Sequence, residues 1–310
     1  MRNNIAKGIP VSVLSLGTAQ LGMDYGVNNQ SGKPDEEGAF AILNRALELG
    51  INTLDTAGAY GQSENVIGRW LKTVPASRRP LIVTKVMARD HSSPEALRAS
   101  LREQVERSKA RLGLDQLPVL MLHSCDDYFG DEENVYRAFE DLKASGDIRL
   151  SGVSAYSRHD YSRIAGSGFD AVQVPVNIFD WGQIESGGMD RLAKSGMMVF
   201  VRSVYLQGLV FQKPENLAPH MAFAAPTLEK FHALCAKYAL TPAGLALSYA
   251  LSLPGVTSLV LGSERVEQVE QNAALVDQAV PLTPAQMSEI RENFIDTPQH
   301  VLDPSTWKKT

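Results

Sequence analysis

The sequence predicts a closed barrel of eight parallel β-strands, each followed by a helix, with long loops and one extra helix near the C-terminus. Short apolar or β-branched runs alternate with longer segments of helical periodicity along the whole chain. Several of those runs are apolar throughout, as expected for strands that are buried on both faces. The 310 residues also suit one (β/α)8 TIM barrel, so we assign residues 1–310 to a single domain.

The strand–helix units follow one another in chain order. Gly50 is placed to end the first helix, and serine–proline or threonine–proline pairs mark the starts of later helices. A doubly wound open sheet shares this local pattern and stays the alternative fold. The predicted strands are residues 11–17, 51–55, 81–85, 119–123, 148–154, 171–174, 198–203 and 257–261. The predicted helices cover about 35–49, 93–113, 132–145, 226–239, 242–252, 264–276 and 283–294, with another starting near 63.

Composition and charge argue against several classes of protein. The hydrophobic share of 44% and the charged share of 21% are ordinary for a globular chain. A net charge of −5 argues against a general nucleic-acid binder. We see neither a run of about 18 apolar residues nor a signal-peptide pattern, so we expect a cytoplasmic protein without a membrane span. Cys125 and Cys235 form neither a disulfide framework nor a zinc motif, which favours a reducing compartment.

Ionisable residues end three consecutive predicted strands. Asp55, Lys85 and His123 end the second, third and fourth strands, and Tyr60 follows the second by a few residues. The carboxyl ends of barrel strands share one rim, so we expect the four side chains to meet there. Each residue alone also suits a structural role, such as a buried ion pair or a core histidine. Their common position along the strands is what favours a site.

These four side chains suit proton transfer to a developing alkoxide. A phenol with a pKa near 10 exchanges protons slowly at neutral pH, and the ammonium of Lys85 would lower that pKa for Tyr60. Asp55 would compensate a buried ammonium, and His123 would orient a substrate oxygen. No Ser–His–acid set for acyl transfer is apparent. The His123–Cys125 spacing has no further metal ligands beside it.

Motifs from about residue 10 to 295 resemble those of the aldo-keto reductases. The resemblance implies a (β/α)8 barrel and hydride transfer with NADPH, less often NADH, between a carbonyl and an alcohol. It also implies a catalytic tetrad, which matches Tyr60, Lys85, Asp55 and His123. The segments that carry the resemblance are 52–64 (NTLDTAGAYGQSE), 83–85 (VTK), 120–124 (LMLHS), 152–154 (GVS), 172–177 (VQVPVN), 261–263 (LGS) and 271–272 (QN).

The resemblance further implies which residues hold the cofactor. Ser154 and Gln173 would bind the nicotinamide carboxamide, and the loops at 203–208 and 262–272 would follow the pyrophosphate and adenosine. Helix N-termini in these loops can bind phosphate oxygens. We expect NADP, with NAD left open. The expected cofactor residues are Ser154, Gln173, Arg202, Ser203, Leu206, Gly208, Gly262, Ser263, Arg265, Gln268, Gln271 and Asn272.

Three places depart from the pattern of that family. Ala155 stands where an asparagine is usual, so one carboxamide hydrogen bond is either lost or supplied elsewhere. Arg202 stands where many members have an aromatic residue that stacks on the nicotinamide. Its planar guanidinium can also stack, unless it turns away to form a salt bridge. Gly262 and Gln268 replace cations found in some members, which leaves Arg265 for the adenosine 2′-phosphate.

We therefore expect an NAD(P)H-dependent oxidoreductase that interconverts a small aldehyde or ketone and its alcohol, with Tyr60 as general acid. Segments 16–23 and 202–208 resemble a bacterial branch of the family associated with sugars or sugar derivatives. Two other functions stay open: a cofactor-binding regulatory subunit with little turnover, and an aldolase or isomerase that forms a Schiff base on Lys85. The sequence gives no oligomeric state. Loop aromatics that would line a substrate pocket, or else pack beneath the loops, are Tyr25, Tyr128, Phe129, Phe179, Trp181 and Trp307.

Overall fold

A computed structural model describes residues 1–24 and 32–307 of the chain. Its strands are β1 (Asn3–Ala6), β2 (Ile9–Ser12), β3 (Leu14–Gly17), β4 (Thr53–Asp55), β5 (Leu81–Val86), β6 (Leu117–Leu122), β7 (Ile148–Ser154), β8 (Ala171–Pro175), β9 (Met198–Arg202) and β10 (Val256–Gly262). Strands β3 to β10 run parallel and form a closed barrel, in which β10 pairs with β3. A doubly wound sheet would leave two unpaired edges, so the barrel prediction is confirmed.

The first predicted strand is two separate strands. Ser12 ends β2, and its Oγ donates a hydrogen bond to the carbonyl of Leu14, 2.6 Å away. The side chain of Asn52 accepts from the backbone N–H of Ser12 at 2.7 Å. These contacts bend the chain between β2 and β3, so the prediction of one strand over residues 11–17 was wrong.

Strands β1 and β2 form an antiparallel hairpin that closes one end of the barrel. Ile9 and Val11 of β2 are buried against Met121 and Phe200 from the barrel strands. Asn4 of β1 donates a hydrogen bond to the carbonyl of Thr257, at the start of β10, over 2.8 Å. Burying one such apolar side chain contributes about 1.5–3 kcal/mol. The hairpin thus covers the end where the strands begin and leaves free the end where they finish.

Helices pack around the barrel, and their starts follow the capping pattern of the sequence. Ser93, Thr241 and Thr283 each accept a hydrogen bond from a backbone N–H in the first turn of a helix that has proline at its start. The helices are α1 (Ala19–Gly22), α2 (Glu36–Glu48), α3 (Ser63–Leu71), α4 (Pro94–Leu112), α5 (Cys125–Gly130), α6 (Glu132–Ala144), α7 (Tyr161–Ala165), α8 (Gly182–Glu185), α9 (Gly188–Lys194), α10 (Ala225–Tyr238), α11 (Pro242–Ser252), α12 (Val266–Gln278), α13 (Pro284–Phe294) and α14 (Gln299–Leu302).

The strands are buried on both faces, as their apolar sequences predict. On β6, Val119 and Met121 belong to the cluster inside the barrel, whereas Leu120 and Leu122 belong to the core beneath the helices. None of the four is exposed to solvent. A strand that packs on two sides has no polar face, which explains its unbroken apolar run.

The chain continues past the helix that follows the last barrel strand. Helix α13 is the extra C-terminal helix that the sequence predicts, and Phe294 at its end packs edge-to-face on Phe179, with ring centroids 5.1 Å apart. The tail is thereby anchored to the barrel core. Across residues 1–24 and 32–307, no helix has the length and apolar character needed to cross a membrane.

Candidate active site

The four ionisable residues predicted as a site lie at the end of the barrel where the strands finish. Asp55 is the last residue of β4, Lys85 lies one residue before the end of β5, and His123 directly follows β6. Tyr60 lies in the loop between β4 and α3. Three neighbouring strands and one loop therefore present these side chains at a common rim.

Two glycines hold the loop of Tyr60 against helix α1. The carbonyl of Gly22 accepts a hydrogen bond from the backbone N–H of Gln62 at 3.1 Å. A Cβ atom on Gly22 would overlap the carbonyl oxygen of Tyr60, and one on Gly61 would overlap the carbonyl of Gly22. Gly61 also has a φ of +55°, which favours glycine. The position of the phenol thus depends on backbone packing that only glycine permits.

Lys85 links the carboxylate of the site to the phenol. Its Nζ donates to Asp55 Oδ1 at 2.6 Å and to the carbonyl of Thr56 at 3.0 Å, and lies 3.5 Å from Tyr60 Oη. The side chain is only 1% exposed. Burial on its own lowers the pKa of Lys85, but the charge of Asp55 and the contact with Tyr60 outweigh burial and raise it. Lys85 is therefore an ammonium placed to stabilise negative charge on the phenol oxygen.

Gln173 of β8 belongs to the same network. Its Nε2 donates to Asp55 Oδ1 at 2.7 Å, the oxygen that also accepts from Lys85. All three side chains are buried. Two donors on one carboxylate oxygen hold Asp55 in a single orientation. Sequence reasoning assigned Gln173 to the cofactor alone, because β4 and β8 lie on opposite sides of the barrel and no spacing reveals their contact.

His123 is a neutral imidazole at neutral pH. Burial and the nearby charges of Lys85 and Arg202 lower the pKa of His123 to about 4. Its ring meets the ring of Tyr60 edge-to-face, with centroids 5.7 Å apart. Its Nδ1 is buried and has no hydrogen-bond partner among the residues that the structure describes. A neutral ring beside the phenol can orient a substrate oxygen without adding charge to the site.

A cleft of about 420 Å³ opens beside Tyr60 and extends to the first turn of α12. Many of the expected cofactor residues line it, whereas four do not. Ser154, Leu206 and Ser263 are buried away from its surface, and Arg265 is exposed outside its lining. The expected residues that line the cleft are Gln173, Arg202, Ser203, Gly208, Gly262, Gln268, Gln271 and Asn272.

The end of the cleft next to α12 fits a phosphate-bearing ligand. The 13-residue helix α12 has Arg265 as its N-cap residue, and no side chain from residues 1–24 or 32–307 caps its first backbone N–H groups. Such uncapped N–H groups are a favourable place for an anion. At Gly262, a Cβ atom would overlap the side-chain amide of Gln20. The missing side chain keeps this part of the cleft open.

The loop after β9 has a strained backbone on the side of the cleft. Ser203, Leu206 and Gln207 have positive φ values of 63°, 43° and 51°, although none of them is glycine. Each such residue costs about 1–3 kcal/mol, so the surrounding structure must hold it in place. Ser203 and Gln207 line the cleft. The same cleft is lined by Gly262 and by Gln268 in the first turn of α12, so it combines an open floor, a helix N-terminus and polar side chains that fit a nicotinamide dinucleotide.

Sequence reasoning missed several residues that line the cleft. Thr18 and Gln20 follow β3 directly, so the strand-end rule that found the other site residues could have found them. Glu264 precedes α12 and lies within the 262–272 segment expected to follow the cofactor, but it was not named as a contact. Tyr205 and Phe211 lie in the irregular loop after β9, with ring centroids 4.9 Å apart. Periodicity gives no signal in such a loop.

The loop aromatics considered for a substrate pocket, apart from Tyr25, lie outside the lining of the cleft. The guanidinium of Arg163 lies 4.1 Å over the ring of Phe129. Trp307 Nε1 donates to the carbonyl of His300 at 2.8 Å. Tyr25 lies outside the described residues. The aromatics that are buried in the main core are Tyr128, Phe179 and Trp181.

No metal chemistry is indicated near His123. Within the described ranges, no group of three His, Cys, Asp or Glu residues is placed to hold a metal ion. Cys125 is buried, and burial raises the pKa of its thiol to about 12. The thiol is therefore protonated and unreactive at neutral pH.

Comparison with known proteins decides the family. The model of the Aldo/keto reductase family matches residues 13–294 of the chain. The chain belongs to the aldo-keto reductase family. The holo form of an aldo-keto reductase from Bacillus halodurans has a similar structure, with a TM-score of 0.74 and 25% identity over 98% of this chain and 99% of that chain. The resemblance seen in the sequence is confirmed.

The relatives of this aldo-keto reductase include several named proteins. The NADH-specific methylglyoxal reductase of Escherichia coli is 28% identical, over 92% of this chain and 95% of the relative. The L-galactose dehydrogenase of Arabidopsis thaliana is 27% identical, over 87% and 86%. A putative voltage-gated potassium channel subunit beta of Schizosaccharomyces pombe is 26% identical, over 95% and 93%. The family and these relatives together show that this aldo-keto reductase is an oxidoreductase.

Proposed function

We propose that this aldo-keto reductase uses NAD(P)H to reduce a small aldehyde or ketone to an alcohol, or catalyses the reverse, with Tyr60 as the general acid or base. One observation carries the proposal. The ammonium of Lys85 joins the Asp55 carboxylate to the Tyr60 phenol at the edge of a cleft that fits a dinucleotide. The similarity to a methylglyoxal reductase and an L-galactose dehydrogenase supports carbonyl and sugar-derived substrates.

The residues of the site divide the chemistry among themselves. The cofactor, when bound, supplies a hydride to the carbonyl carbon. Tyr60 Oη gives its proton to the carbonyl oxygen, so that hydride and proton together convert C=O into CH–OH. Lys85, whose Nζ lies 3.5 Å from Tyr60 Oη, stabilises the phenolate that is left, and Asp55 compensates the buried ammonium. His123 orients the carbonyl oxygen as a neutral hydrogen-bonding partner.

The choice between NADP and NAD depends on the end of the cleft next to α12. Arg265 is the exposed cation at the start of that helix and favours the 2′-phosphate of NADP. Glu264 lines the cleft itself, and a carboxylate favours the free ribose hydroxyl of NAD. We assign NADP on account of Arg265. The similarity to an NADH-specific methylglyoxal reductase supports the competing assignment, which is NAD.

Replacing Tyr60 by phenylalanine tests the proposed function. Tyr60→Phe removes the proton donor and keeps the ring, so carbonyl reduction should fall by about 10²–10⁴-fold. Cofactor Kd should change less than about twofold, because the hydroxyl acts on the substrate oxygen. Turnover is measured with both cofactors over a panel of aldehydes, ketones and sugars, and Kd by fluorescence titration. Tyr238→Phe, which removes a hydroxyl bonded to Glu289 on the helices, is the control. Retention of most activity in Tyr60→Phe would contradict the assignment.

A regulatory subunit with little turnover is the second candidate, and the similarity to a potassium channel subunit beta favours it. This alternative predicts that the wild-type protein binds the cofactor tightly and reduces none of the panel. The Schiff-base reaction is disfavoured, because a nucleophilic amine must be neutral. Lys85 instead donates to Asp55 and Thr56 and has a raised pKa. Borohydride trapping of a substrate on Lys85 would reverse that conclusion.

A further inference from the structure

Arg202, the last residue of β9, extends across the end of β8 to the end of β7. Its Nη2 donates to the carbonyl of Ala155 at 2.9 Å, and its Nη1 to Ser203 Oγ at 3.2 Å. The guanidinium carbon lies 5.0 Å from the ring centroid of Tyr156. One face of the guanidinium is therefore covered by an aromatic ring, and the residue lines the cleft that Tyr60 borders.

The half-buried charge of Arg202 is not neutralised by a carboxylate in residues 1–24 and 32–307. Its hydrogen bonds go to a backbone carbonyl and a hydroxyl. A guanidinium has five N–H donors, so several stay available to a ligand. Partial burial of an uncompensated charge is unfavourable for the fold alone. A cation held in this way at the wall of a cleft is better explained by a ligand that accepts its hydrogen bonds.

Ala155 shows which hydrogen bond Arg202 can replace. The residue is fully buried, and its methyl group offers nothing polar to a ligand. Ser154 at the end of β7 and Gln173 in the middle of β8 stand beside it, and the backbone N–H of Ala155 donates to the carbonyl of Gln173 at 2.8 Å. Arg202 brings a donor group to this same position from β9. Arg202 therefore reaches the position where the family resemblance leads us to expect an amide and the chain has the methyl group of Ala155.

We propose that Arg202 donates a hydrogen bond to the carboxamide oxygen of the nicotinamide, in place of the amide that Ala155 lacks. The assignment rests on the proposed function, since it requires a nicotinamide in the cleft at Tyr60. Arg202, Gln173 and Tyr60 line that cleft together. A guanidinium supplies the charge-assisted donor that a carbonyl oxygen accepts well.

The positive charge of Arg202 has a second consequence. The oxidised nicotinamide ring carries a positive charge and the reduced ring carries none. A guanidinium beside the ring therefore repels the charge of the oxidised form, whereas the uncharged reduced form keeps the hydrogen bond without that repulsion. The Kd of NADP⁺ divided by the Kd of NADPH should be higher in the wild type than in a variant without the charge. A residue that merely stabilised the loop would not change this ratio.

Binding measurements with matched variants test the assignment. Arg202→Leu removes the donors and the charge, so the Kd of NADPH should rise about tenfold. ADP-ribose contains the pyrophosphate and both riboses but no nicotinamide, so its Kd should not change. Arg158→Leu is the control, since Arg158 also lies over Tyr156, at 4.7 Å, but does not line the cleft. Calorimetric titration gives each Kd without turnover.

A rescue variant tests the exchange between positions 155 and 202. In the Arg202→Leu background, Ala155→Asn should restore most of the lost NADPH affinity, and in the wild type it should change little. Because position 155 is fully buried, the asparagine variant has to be shown to fold by its thermal unfolding transition. If it does not fold, Arg202→Gln decides the question. This variant keeps a neutral donor, so the ratio of NADP⁺ to NADPH Kd should fall while NADPH affinity is partly kept.

Several outcomes would overturn the assignment. If Arg202→Leu weakened the binding of ADP-ribose and NADPH equally, Arg202 would act on the phosphates or on the fold and not on the nicotinamide. An unchanged NADPH Kd would remove Arg202 from the cofactor site. Full affinity in Arg202→Phe would favour simple stacking over a hydrogen bond. A wild-type protein that binds no dinucleotide at all would contradict the proposed function rather than this inference.

Discussion

In the proposed mechanism the proton transfer depends on Lys85, whose ammonium lies 3.5 Å from the oxygen of Tyr60. Lys85→Met keeps the length of the side chain and removes the charge. Without the ammonium the phenolate is less stable, so alcohol oxidation, which needs the phenolate, should begin at higher pH. Turnover near neutral pH should fall about a hundredfold. Lys109→Met is the control, since Lys109 pairs with Asp147 away from the site. An unshifted pH–rate profile in Lys85→Met would contradict the role.

Arg265 decides the proposed preference for NADP. An ion pair at an exposed position contributes about 0.2–1 kcal/mol, so Arg265→Ala should raise the Kd of NADPH about threefold. The Kd of NADH should stay nearly constant, because NADH has no 2′-phosphate. Arg69→Ala removes a surface arginine that pairs with Glu36 and serves as the control. Equal changes for both cofactors would exclude Arg265 from the phosphate site, and tighter binding of NADH by the wild type would reverse the assignment.

Residues at strand ends could be predicted, and contacts across the barrel could not. Asp55, Lys85 and His123 were found because a strand end has a fixed place on the rim. The hydrogen bond from Gln173 to Asp55 joins residues that are 118 positions apart, and no local sequence feature predicts it. The direction of Arg202 depends on the carbonyl it meets at Ala155, which only the folded barrel brings near.

Helices, strands and loops could likewise be predicted only where the signal lies within a few neighbouring residues. Helix starts were predictable because a cap residue and its proline act within one turn. The bend between β2 and β3 was not, since it depends on Ser12 and Asn52, which are 40 positions apart. The conformation of the loop after β9 could not be predicted either, because Leu206 and Gln207 adopt positive φ values that these residue types disfavour.

The contact between α1 and the loop of Tyr60 offers a test of how packing positions the phenol. Gly22→Ala would place a Cβ atom on the carbonyl oxygen of Tyr60, so the loop has to move. We expect stability to fall by about 1–3 kcal/mol and kcat by at least about tenfold. Gly130→Ala is the matched control, because a Cβ atom there meets no atom within 4 Å. Thermal unfolding and turnover are measured for both variants. Normal kcat in a folded Gly22→Ala protein would show that the loop tolerates displacement.

The whole barrel has one closed and one open end, and the buried ionisable groups lie at the open end. The hairpin of β1 and β2 covers the closed end with apolar side chains. At the open end, ionisable groups are buried among the strands: burial lowers the pKa of His123, whereas the charge of Asp55 and the contact with Tyr60 outweigh burial and raise the pKa of Lys85. Groups tuned in this way couple the pH of the solution to the stability of the entire fold.

The pH dependence of global stability follows from His123. Its pKa falls from 6.5 to about 4 on folding, so between these values the unfolded chain binds a proton that the folded protein does not. Stability from this group is therefore complete above pH 6.5 and is lost as the pH falls toward 4. The loss between pH 7 and pH 5 should be about 2 kcal/mol. His123→Gln removes the titrating ring, so its free energy of unfolding should fall less over the same interval. Urea unfolding of both proteins at the two pH values measures the difference, and equal losses would show that other groups govern the acid response.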